Sequence, residues 1–122
     1  MFKPFADFYY EQSPEKREEF AKDFIGKYVH WSGVVVETWK KKIVIYGGDD
    51  YEKESWFDLS TNYKKKDKLP YVFIAASNEV VKSYKHGSKI SITGRIVSRG
   101  DKDLQLHWKL EDIQVVSVEE VN

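Results

Sequence analysis

The chain has 122 residues, no cysteine and a formal net charge of +0. That length favours one domain with one core. The lack of cysteine excludes a disulfide framework and a thiolate metal site, and zero net charge argues against a uniformly basic nucleic-acid binder. The opening MFKPFADFYYEQS lacks a basic stretch followed by a continuous apolar run, so no signal peptide is expected. No apolar run approaches the roughly 18 residues of a membrane span. A soluble, cytoplasmic protein is the expectation.

In chain order, residues 1–26 are an aromatic segment and a helix. Phe5, Phe8 and Tyr9 are spaced for a short helix that packs on the body of the domain. Ser13-Pro14-Glu15 is a helix start, with a capping hydroxyl and proline at the first helical position. Phe20, Ala21, Phe24 and Ile25 form its apolar stripe, and Gly26 is its expected C-terminal cap. Residues 26–38, GKYVHWSGVVVET, are the strongest strand signal, β-branched and aromatic without proline. This strand is about twice the ordinary length of roughly 20 Å. Gly33 in its middle permits a bend, so the strand can pair with neighbours in both halves of a closed barrel.

Trp39-Lys40-Lys41-Lys42 is a short connection to a second strand, Ile43–Tyr46. Residues 47–70 are a long insertion. Within it Ser55–Leu59 reads as a short strand, with Trp56 packing the insertion onto the barrel, and residues 61–69 read as a lysine-rich loop closed by Pro70. Tyr71–Ala75 is a third strand. Ser77 or Asn78 caps a short helix ended by Gly87, with Val80, Val81 and Tyr84 inward. Lys89–Ser98 alternates as a fourth strand. After the turn Arg99–Lys102, a fifth runs from Asp103 with Leu104, Leu106, Trp108 and Leu110 inward. The expected fold is a single mainly β domain: a five-stranded Greek-key barrel over 27–116, six-stranded if Ser55–Leu59 counts. An N-terminal helix precedes it, and a short helix lies between strands three and four. That order matches the OB-fold; a β-sandwich gives no reason for a helix at that point.

Gly26-Lys27-Tyr28-Val29 after a helix, Gly33, the stretch Gly87–Ile96 and the later Leu104 and Leu106 together resemble the tRNA-anticodon-binding-like OB-fold proteins. The resemblance spans roughly residues 13–116; the long 47–70 connection departs from it. It implies binding of single-stranded nucleic acid or oligonucleotides, although OB barrels also bind proteins and sugars.

In OB-folds the ligand crosses strands two and three, flanked by the 1–2 and 4–5 loops. Mapped onto this chain, the stacking candidates are Trp39, Tyr46, Tyr71 and Phe73. The phosphate-contacting candidates are Lys40, Lys41, Lys42, Lys64, Lys65, Arg95, Arg99 and Lys102. Aromatics interleaved with cations suit single strands, because bases stack on rings and cations neutralise phosphates. Residues 63–102 supply the basic bias, with ten bases against Asp67, Glu79 and Asp101. A solvated mixed-charge surface is the plain alternative. His30, His86 and His107 lack metal-ligand spacing, no nucleophile motif is present, and Asp49, Asp50, Glu52 and Glu54 read as a solvated loop. A non-catalytic protein without metal or cofactor is therefore expected. The competing reading is a protein-interaction module, phage-encoded or part of a replication or defence assembly, whose aromatic face meets another protein.

Overall fold

A computed structural model describes residues 2–101 and 106–120. Two helices, α1 (Phe2–Glu11) and α2 (Pro14–Phe24), lead into β1 (Tyr28–Trp39) and β2 (Lys42–Tyr46). Then come α3 (Trp56–Thr61), a 3-10 helix (Tyr63–Tyr71), β3 (Val72–Ala76), β4 (Lys89–Ser98) and β5 (Trp108–Glu119). The strands close into a barrel in the order β1-β2-β3-β5-β4. Neighbours are antiparallel except β3 and β5, which run parallel through Phe73–Trp108, Ile74–Lys109 and Ala75–Leu110. This is the mainly β, five-stranded barrel expected from the strand pattern.

β1 bridges the two halves. Tyr28–Val34 pairs with β4 and Val34–Trp39 with β2. Gly33 lies at the crossover, where a side chain would run into the backbone of Tyr46. A bulge at Val36 turns the strand further. Ser13 caps α2 by accepting from the Lys16 amide, and Gly26, at φ +93°, turns the chain out of that helix. The Gly26 amide then donates to Ile96 O at 2.7 Å, stitching the helix exit to β4.

The interior is aromatic at one end. Phe2 of α1 meets Trp31 at 4.7 Å and Phe73 at 4.8 Å between ring centroids. Phe5 and Tyr9 meet Trp108 at 4.8 and 4.9 Å. The Tyr9 hydroxyl donates to Gly100 O at 2.8 Å. The N-terminal aromatics therefore plug the barrel, and Trp31 and Trp108 are core, as expected. The buried stripe of α1 is Phe2, Ala6 and Tyr9, with Phe8 left exposed against Phe20.

Three local expectations are corrected. Ser55–Leu59 is not extended but begins a helix, because the Ser55 hydroxyl accepts from the Asp58 amide and caps it; the lysine-rich stretch after it is 3-10 helical. Residues 77–88 hold turns and irregular chain rather than a regular helix. Backbone amides of Ser77 and Val81 donate instead to Lys41 O and Lys40 O. Finally, β5 begins at Trp108, so Leu106 lies before it and is exposed; Leu104 falls outside the described residues. Among the described residues no helix is long and apolar enough to cross a membrane.

Candidate functional site

The outer face of β2 and β3 is where a groove was expected, and the insertion covers it. Ile43, Ile45 and Phe73 point into the barrel. Val36, Val44, Tyr46 and Val72 point outward and pack under Leu59, with Tyr51, Trp56, Leu69 and Tyr71 around them. Ion pairs hold this cover down. Lys68 Nζ lies 2.6 Å from the buried Glu54 carboxylate, and Lys65 pairs with Glu52 at 2.9 Å and Glu54 at 3.6 Å. Burial alone would raise the Glu54 pKa; hydrogen bonds from Lys68 and from backbone amides outweigh it and hold the group below its ordinary value. His86 adds a lateral pin, with Nδ1 at 2.7 Å from Val36 O and Nε2 at 2.8 Å from the Tyr51 hydroxyl.

Several expected binding residues are thereby accounted for otherwise. Phe73 is fully buried in the barrel and Tyr46 is buried beneath the insertion, its hydroxyl donating to Asp50. Neither ring is available for stacking. Tyr71 is half-buried and its hydroxyl donates to Asp7 of α1, with Lys3 over the ring; this hydrogen bond, with burial, pushes its pKa up to about 12. Lys65 is neutralised by Glu52 and Glu54. Arg95 sits on β4 and pairs with Asp112 at 2.9 Å. Arg99 is half-buried close enough to Tyr9 to influence its hydroxyl. Lys102 lies outside the described residues.

Four of the remaining candidates, Trp39 and Lys40–Lys42, lie together at the β1–β2 turn. Trp39 ends β1, is 40% exposed, and meets Trp56 of the insertion edge-on at 6.4 Å. Lys40 and Lys41 make the turn beside it and Lys42 opens β2. All three are exposed and form no ion pair among the described residues. Lys64 is likewise exposed and unpaired there. Phe57 and Tyr63 of the insertion are 73% and 76% exposed, and Lys66 lies over the Tyr63 ring at 4.1 Å. The aromatic–lysine surface is thus on the hairpin tip and the insertion, not on the β2–β3 face.

No protein-family model, curated protein or solved structure matches this chain.

Beside the hairpin tip, a cleft of about 450 Å³ opens between α3 and residues 83–86, along the end of β1. Glu37, Thr38, Trp56, Phe57, Tyr84 and His86 are among its lining residues. The sequence reading missed it because the period-two pattern in 55–59 hid a helix. The Ser55-x-x-Asp58 capping spacing was the signal present. A second groove of about 730 Å³ runs from Lys3 and Asp7 past Gly47–Asp49 to Ser32, Ser91 and Ser117. Its Lys3 and Asp7 already pair at 3.0 Å. His30 is not in a metal set: it bonds Ser91 at 2.9 Å. No cluster suited to a metal ion occurs among the described residues.

Proposed function

We propose that this protein is a non-catalytic binder of single-stranded nucleic acid, engaging it at the β1–β2 hairpin tip and along the insertion. The observation that carries the reading is Trp39, exposed and braced by Trp56, next to the unpaired Lys40–Lys42. A ring held in place by a second ring gives up little entropy when a base stacks on it, and three adjacent free cations suit a phosphate backbone. Phe57, Lys64, Tyr63 and Lys66 extend the same chemistry over the insertion.

The test is titration of the intrinsic tryptophan fluorescence with a short oligonucleotide at two salt concentrations. Quenching, with an affinity that falls steeply as salt rises, is the expected result. Absence of quenching at low salt, at concentrations of about 10⁻⁴ M where even non-specific binding registers, would overturn the proposal.

A protein-interaction module is the second reading, and β5 favours it. Beyond Leu110 this strand pairs only with β4, leaving one edge without a ladder partner among the described residues. Val115 and Val116 are exposed along it. An unpaired edge can add a strand from a partner.

A further inference from the structure

We propose that the cleft between α3 and residues 83–86 is a base-reading slot that selects guanine. This rests on the nucleic-acid reading above and adds sequence preference to it. The walls are aromatic: Trp56 and Phe57 on α3, Tyr84 opposite. Trp56 is the ring that braces Trp39, so the slot adjoins the stacking platform.

The hydrogen-bonding capacity of the lining decides the ligand. Most polar groups there are already engaged. The Thr38 hydroxyl donates to Tyr84 O and accepts from the Tyr84 amide, both at 3.3 Å. His86 is held by Val36 O and Tyr51. The Ser60 hydroxyl donates to Trp56 O at 2.7 Å, and the Ser55 hydroxyl caps α3. Glu37 is different. It is half-buried on the outer face of β1, opposite Val44, and lines the cleft. Its carboxylate has no hydrogen bond or ion pair among the described residues. An unpaired carboxylate lining a cleft with aromatic walls can accept from the N–H donors that a ligand brings.

Guanine is the base that offers two adjacent donors, N1–H and the N2 amino group, on its Watson–Crick edge. A carboxylate can accept both in a bidentate pair. Adenine and cytosine place a ring-nitrogen acceptor beside their amino groups, which repels a carboxylate. Thymine and uracil flank their single N–H with carbonyls. Bases splayed from a single strand are read on this edge while stacked on aromatic rings.

The experiment compares two fluorescein-labelled strands by anisotropy: an all-thymine oligonucleotide, and the same strand with one central guanine. The guanine strand should bind about tenfold more tightly, within the range of one bidentate base contact. Glu37→Gln should abolish that ratio, so that the guanine and all-thymine strands bind this variant equally. Phe57→Ala, at a position 73% exposed and so expendable for folding, should weaken the guanine strand more than the thymine strand. Equal binding of both strands by the natural protein would overturn the slot while leaving the nucleic-acid reading intact. So would a guanine preference that survives Glu37→Gln. Failure of both strands to bind would overturn both.

Discussion

Lys68 donates to Glu54 across 2.6 Å, with only 12% and 4% of their side chains exposed. Lys68 belongs to the 3-10 helix and Glu54 precedes α3, so the pair ties the two ends of the insertion together. Both charges are largely taken out of water and compensate each other, with Lys65 at 3.6 Å from Glu54, and Glu52 at 3.7 Å and Asp50 O at 2.7 Å from Lys68, as further partners. Removing one leaves its partner with those contacts alone, a loss of up to about 3 kcal/mol for a buried pair. Glu54→Ala should therefore lower the denaturant midpoint markedly. Replacing Glu54 and Lys68 together by apolar residues should cost less than the sum of the single changes. Additive losses would mean that the two charges are solvated independently.

Acid should release the same contacts. Asp7 is held below its ordinary value mainly by the hydrogen bond from the Tyr71 hydroxyl, with Lys3 adding to it. Glu54 is also lowered, against the push of burial. A carboxyl whose folded pKa is depressed contributes stability that is fully present above its unfolded pKa and is lost as pH falls through the folded value. The ordinary values are 3.8 for Asp7 and 4.5 for Glu54. The melting temperature should thus hold steady as pH falls towards 4.5 and drop below it. Glu54→Gln and Asp7→Asn should each flatten that drop. An unchanged acid slope in both variants would show that other carboxyls govern it.

Gly33 is where β1 passes from β4 to β2. A Cβ there would strike Tyr46 O and come within 2.6 Å of Ile45 Cγ2. The first obstacle is backbone and cannot rotate away. Gly33→Ala should cost about 1–3 kcal/mol, the usual range for overpacking a filled core. Gly26→Ala meets no neighbouring atom; its penalty comes from its positive φ alone. Thermal melts of the two variants separate crowding from conformational strain. A Gly33→Ala protein as stable as the parent would contradict the close approach.

The barrel was legible in the sequence because its strands carry their own signals. Val29, Val34, Val35 and Val36 of β1 are β-branched, and Ile90, Ile92 and Ile96 keep a period of two that the buried pattern of β4 repeats. The helix starts at Ser13 and Pro14 were equally plain. The site was not legible in the same way. Tyr71 and Phe73 are two residues apart and share a parity, yet Phe73 faces Trp31 while Tyr71 belongs to the 3-10 helix and bonds α1. Parity alone cannot say which sheet face is inside, and nothing local announces that 47–70 folds back over the other face. The Lys65–Glu52 and Lys68–Glu54 pairs join residues 13 and 14 positions apart. Read linearly, they are a basic run and an acidic run; only the fold makes them cancel.

Trp39 and Phe73 therefore separate binding from folding. Phe73 is fully buried against Phe2 and Trp31. Phe73→Ala removes a large core side chain and should cost about 3–5 kcal/mol, with any loss of binding following from unfolding. Trp39 is at the barrel's surface, and its truncation chiefly sacrifices the contact with Trp56. Trp39→Ala should fold, as judged by circular dichroism, and lose about 1–3 kcal/mol of oligonucleotide affinity, the worth of one stacked base. Lys40→Glu should fold too, weaken all sequences alike, and reduce the salt slope by about one. Both effects are read in one anisotropy series over salt. A Trp39→Ala protein that folds and binds as tightly as the parent would remove the hairpin tip from the interface.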